Sequence, residues 1–113
     1  MDSILNSVKQ SLGISEDVEH FDSDLIMHIN SVFAILTQMN VGPDFGYIVT
    51  GEFDTWTDFY GNRKDLEFIK TYVYMKVRVI FDPPTSSVIM DALNNRITEL
   101  EWRIYSAVDN MLQ

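Results

Sequence analysis

Between residues 64 and 81 the apolar side chains fall in two stripes, not one. Leu66, Ile69, Val73, Val77 and Ile80 form the first. Phe68, Tyr72, Met75 and Val79 form the second, about 120° around the same helix. A helix that is apolar on two sides has to be covered on two sides. It belongs in the middle of a bundle, or wedged between its own domain and a neighbour. Asp82-Pro83-Pro84 ends it, because proline lacks the amide donor and disfavours helix in the residue before it.

A second helix follows from Ser86 or Ser87, either of which can cap it, to near Asn110. Met90, Leu93, Ile97, Leu100, Ile104, Ala107 and Met111 are spaced three and four apart in alternation, a heptad seam. In a chain of 113 residues such a seam packs within a bundle more readily than it forms a free coiled coil. Trp102 and Tyr105 lie off the seam among Glu99, Glu101 and Arg103, where they are either lone exposed aromatics or anchors for a partner.

Two helices precede these. Ile4, Leu5, Val8 and Leu12 mark one over residues 3–12, stopped by Gly13. The other starts at Asp22 or Ser23, with Asp22 as a good N-cap and Phe21 placed to staple onto Ile26. Its apolar face is Leu25, Ile29, Val32, Phe33 and Leu36, and Asn40-Val41-Gly42-Pro43 closes it. Met27 falls on the polar side. The expected fold is therefore mainly α: one domain over 1–113, a bundle of about four helices. A short β-like or irregular insert lies between the second and third main helices.

That insert, residues 43–63, holds a run Tyr47-Ile48-Val49-Thr50 between glycines and six aromatics: Phe45, Tyr47, Phe53, Trp56, Phe59 and Tyr60. So many rings argue against a disordered loop. They fold back onto the core, or they present a docking surface.

Charge narrows the function classes. The net charge is −9, and residues 1–60 carry all of it: ten acids against Lys9 alone. An acidic surface of this kind is solvated, repels nucleic acid or meets a basic partner, and it disfavours sequence-specific DNA binding. The chain has no cysteine, so disulfides and thiolate chemistry are out. No signal peptide opens it, and Val32 to Leu36, the longest clean apolar run, cannot cross a bilayer.

The chemistry-bearing motifs are missing too. There is no phosphate-binding glycine loop, no HExxH and no GxSxG. His20 and His28 are eight apart, about 12 Å along a helix, too far for a helical metal pair. The acids Glu16, Asp17, Glu19, Asp22 and Asp24 lack the spacing and the glycine of a calcium loop. Neither an enzyme nor a cofactor is expected.

Five stretches in order nevertheless form a recognisable set. They are residues 20–33 (HFDSDLIMHINSVF), Leu36 through Val41-Gly42-Pro43, Trp56-Thr57-Asp58-Phe59, residues 70–78 (KTYVYMKVR) with 82–87 (DPPTSS), and Glu99-Leu100-Glu101-Trp102-Arg103. Together they resemble the head–tail connector family of tailed phages, the adaptors of DNA packaging and head completion, over nearly the whole chain. The resemblance implies a helical bundle that assembles as a ring, usually of twelve subunits, without enzymatic activity or cofactor. The ring docks under the portal protein, extends the channel for passing double-stranded DNA, and carries the next neck or tail-completion protein. It implies a place in the virion at the head–tail interface, and in the bacterial host cytoplasm during assembly.

A ring subunit needs two lateral surfaces. Phe68, Tyr72, Met75, Trp102 and Tyr105 are the candidates for subunit or portal contacts. Phe45, Tyr47, Phe53 and Trp56 are candidates for docking, and Glu16, Asp17 and Glu19 for an acidic channel wall. The competing expectation is a small oligomeric interaction or regulatory module held together by the seam over 90–111.

Overall fold

The computed structural model describes residues 2–61 and 66–112, with side chains described for 2–61 and 67–108. It contains α1 (Ile4–Ser11), α2 (Asp22–Gln38), α3 (Trp56–Tyr60), α4 (Leu66–Phe81) and α5 (Ser87–Leu112). The expected start of the third main helix at Lys64, and the places of Leu66 and Met111 in their stripes, lie outside the described side chains or residues.

α4 is the central element. It packs against α2, α5 and α1. Its first stripe supplies Ile69, Val73 and Val77 to the core. From the second stripe, Tyr72 is fully buried and its hydroxyl donates to Glu101 Oε2 of α5 at 2.9 Å. Burial, and then the Glu101 carboxylate, push the Tyr72 phenol well above its ordinary value. Tyr74 instead meets Trp56 of α3 edge-on at 6.0 Å, and Lys70 shares a cavity wall with Asn6, Gln10 and Trp56. Positions two apart on a helix point about 200° from each other. α5 therefore flanks α4 on one side, and α1 and α3 flank it on nearly the other. The molecule is a flat stack, 43 × 36 × 20 Å in its principal extents.

The seam of α5 faces inward. Ile97, Leu100 and Ile104 are buried, joined by Val108, while Leu93 and Met90 are half-covered at the end where α5 outruns the core. Ser86 caps the helix, accepting from the Ile89 N–H at 3.4 Å. A regulator dimerising through this seam would have to expose Ile97, Leu100 and Ile104, which the monomer already covers.

α1 is one residue shorter at each end than the expected 3–12, with Ser3 and Leu12 as its caps. The Asn6 N–H donates to Ser3 Oγ at 3.2 Å, and Gly13 turns the chain with φ of 76°. The start of α2 differs from expectation. Phe21 occupies the cap position without a side-chain cap, and Asp22 is the first helical residue. Asp22 is drawn away by Lys9, whose ammonium lies 2.9 Å from Asp22 Oδ1 and donates to the Glu16 carbonyl at 3.0 Å. The Asp22 contact is close in distance but poorly directed for a hydrogen bond, so it acts as an ion pair. Lys9 is 1% exposed, and burying such a polar group is costly unless it finds partners. Phe21 turns to Phe81 of α4, edge-on at 5.5 Å.

The insert is irregular apart from the short α3, which the sequence reading did not separate from it. Among the described residues its one ladder contact is an isolated bridge between Ser3 and Thr55. A side chain takes the role a neighbouring strand would play. Asn30 Nδ2 donates to the Val49 carbonyl at 3.0 Å, and the Val49 N–H donates to Asn30 Oδ1 at 2.8 Å. Asp54 then gathers the turn, accepting from the N–H groups of Thr50 (2.7 Å) and Gly51 (3.2 Å) and from the Tyr47 hydroxyl at 3.1 Å. Partial burial raises the Asp54 carboxyl, but these donors outweigh it and hold it below its usual range. Tyr47 is pushed up to about 12 by burial and by Asp54. Phe33 stacks on Phe59 with centroids 4.4 Å apart, which nails α3 to α2.

Candidate functional site

The burial of Ile97, Leu100, Ile104 and Val108 turns one face of α5 toward α4 and the opposite face to solvent. On that outer face Trp102 is 70% exposed and Tyr105 is also exposed. A salt-bridged trio lies on the flank of Trp102 away from Tyr105, which stands two residues from Arg103 and so about 200° from it around the helix. Arg103 Nη2 and Arg96 Nη1 lie 2.9 and 3.1 Å from the two Glu99 carboxylate oxygens. The hydrogen bonds from Arg103, then Arg96, hold the Glu99 carboxyl below its usual range. Two guanidiniums on one carboxylate leave a local excess of positive charge beside Trp102, and Glu101 is turned inward to Tyr72. Trp, Tyr and Arg together are the residue types that anchor protein interfaces.

The other expected interface residues divide. Phe68 is exposed near the start of α4 and Met75 is half-buried, but Tyr72 belongs to the core and is not available to a partner. In the insert, Phe45 is 94% exposed and Phe53 is exposed. Tyr47 is half-buried and pinned by Asp54, and Trp56 is buried, its indole N–H donating to Ser7 Oγ at 2.9 Å. The aromatic segment divides: Trp56 and Phe59 fill the core, while Phe45 and Phe53 remain outside it.

Two apolar features escaped the sequence reading. Ile48, with Phe45, Ala34 and Gly46, borders a groove of 250 Å³ on the outer face of α2. Val88 and Ile89 are exposed at the start of α5. Their only sequence signal is an apolar residue off the buried stripe, which by itself is ordinary. Ile80, expected on the buried first stripe of α4, is instead 48% exposed, because it sits in the last turn, one residue before the helix ends at Phe81.

Glu16, Asp17 and Glu19 are exposed on the loop joining α1 to α2. Glu16 and Glu19, with Glu52 of the insert, border a cavity of 310 Å³ whose inner wall includes Leu5 and Ile26. His20 rests on Phe21 with ring centroids 4.1 Å apart, and His28 meets Phe81 at 6.3 Å, so the two histidines have separate packing roles. No helix of the described residues is long and apolar enough to cross a membrane.

Residues 4–111 match the family model described as phage connector protein. No curated protein and no solved structure matches the chain.

Proposed function

The chain belongs to the phage connector protein family, and from that premise we propose that it is a head–tail connector subunit that closes into a ring beneath the portal. The ring extends the DNA channel and carries the next neck or tail-completion protein. Twelve copies, a place at the head–tail interface of the virion, and assembly in the host cytoplasm belong to this reading. It is a structural role, without catalysis or cofactor. The observation that carries it is the family match over residues 4–111. The exposed aromatics support it, since large apolar side chains at Phe45, Phe53, Phe68, Trp102 and Tyr105 occur on α4, on α5 and on the insert, as a subunit with several neighbours needs.

In this reading Trp102, Tyr105, Phe68 and Met75 serve lateral or portal contacts, and Phe45 and Phe53 serve axial docking. Exposed acids such as Asp17 repel the passing duplex and keep it from adhering to the channel. The test is to mix the protein with the portal protein of the same phage, isolate the complex and image it by negative stain. A ring stacked coaxially on the portal is the expected result. A stable dimer or trimer with no portal association would overturn the reading.

A further inference from the structure

We propose that neighbouring copies of this chain meet head to tail, the outer face of α5 on one copy seating against the acid-bordered cavity between α1, α2 and the insert on the next. The inference rests on the ring reading and names its lateral seam.

Three observations support it. First, Trp102 projects from α5 with no partner among the described residues, and Arg96 and Arg103 lie to one side of it, their two guanidiniums sharing the Glu99 carboxylate. Second, its complement is on the same molecule. Glu16, Glu19 and Glu52 border a 310 Å³ cavity whose inner wall includes Leu5 and Ile26. An arginine suits such a cavity, laying its methylene stem on apolar surface and its guanidinium against carboxylates. The cation lining that cavity, Lys9, is already engaged by Asp22 and the Glu16 carbonyl. Third, the two surfaces lie on nearly opposite sides of α4, because Tyr72 faces α5 whereas Lys70 and Tyr74 face α1 and α3. Complementary surfaces on opposite flanks cannot satisfy one another within one chain. Between copies they make a heterologous contact, the kind that repeats around a ring instead of stopping at a dimer.

The assignment takes Glu16 and Glu19 from the channel wall to the seam between subunits. Asp17, which does not border the cavity, remains free to face the channel.

Charge exchange tests it. One variant carries Arg96→Glu and Arg103→Glu, and the other Glu16→Lys and Glu19→Lys. All four positions are exposed, and circular dichroism checks that each variant is folded. Self-association is read by sedimentation velocity, and ring formation on the portal by negative stain. Each variant alone is expected to lose about tenfold or more in association, since opposed like charges are strongly unfavourable. An equal mixture of the two is expected to recover most of it, because every contact then pairs opposite charges. Trp102→Ala, which changes no charge, is expected to weaken association, and Asp17→Lys to leave it unchanged.

Both charge variants assembling like the parent, or a mixture that stays apart, would overturn the head-to-tail seam while rings on the portal kept the connector role intact. Charge-dependent association without portal binding would uphold the seam and remove the connector role. A parent chain that associates with neither itself nor the portal would remove both.

Discussion

Gly42 answers two demands at one position. Its φ is 86°, and a Cβ there would stand 2.6 Å from Cε1 of Phe59, in the ring stacked on Phe33. Gly42→Ala must strain the backbone and displace a core aromatic, so it is expected to cost about 2–4 kcal/mol in urea unfolding. An unchanged midpoint would mean that Phe59 yields freely. Lys9 is the second residue on which much depends. Replacing it with methionine keeps most of the volume but leaves Asp22 facing an apolar side chain. The expected loss is about 2 kcal/mol, below that of an enclosed pair because Asp22 keeps 28% of its side-chain surface exposed. Adding Asp22→Asn to Lys9→Met should recover part of that loss. If the double variant is as unstable as the sum of the singles, the two residues are not coupled.

At the scale of the element, the insert is held by a few polar side chains in place of strand pairing, and that makes it sensitive to pH. Asp54 has a folded carboxyl value below its ordinary 3.8. Its contribution is complete above that ordinary value, declines as pH falls through the interval beneath it, and is gone once the folded carboxyl protonates. Tyr47 and Tyr72 act at the other end. Both phenols are raised above 10.0, so the fold favours their neutral form. Their contribution is complete below pH 10.0 and shrinks as pH rises, toward about 12 for Tyr47. Unfolding midpoints measured across the acid range should fall less steeply in Asp54→Asn than in the parent, from a lower starting stability. Parallel acid profiles would show that the Asp54 bonds do not anchor the insert.

For the whole molecule, the decisive question about α5 is which of its faces holds the monomer and which is left over. Leu100 is fully buried, so Leu100→Asp should unfold the chain, with loss of helical circular dichroism. A folded, dissociated monomer would instead show that the seam joins subunits. Trp102→Ala should behave in the opposite way: stability within about 0.5 kcal/mol of the parent, as for other exposed sites, with assembly reduced. Exposed aromatics carry little of the fold in a stack whose core is closed by α2, α4 and α5.

Much of this architecture could be read along the chain because it depends on near neighbours. The spacing of Ile69, Val73 and Val77, the heptad of Ile97, Leu100 and Ile104, and the stop at Pro83 are all settled within a few residues by helix geometry and backbone chemistry. The order of the motifs was enough to suggest the family. What the sequence left open were the matters decided by contacts between distant residues. Trp56 and Phe53 are three apart and look alike as candidates, yet one is sealed by Ser7 and Phe33 and the other stands in solvent. Tyr72 became a buried tie because Glu101 comes to meet it, and Asp22 left its capping role because Lys9 lies beneath it. The separation of the aromatic–arginine face from the acidic cavity likewise exists only after α5 and α1 have packed on different sides of α4. Local periodicity says which side chains need cover; only the assembled stack determines which receive it.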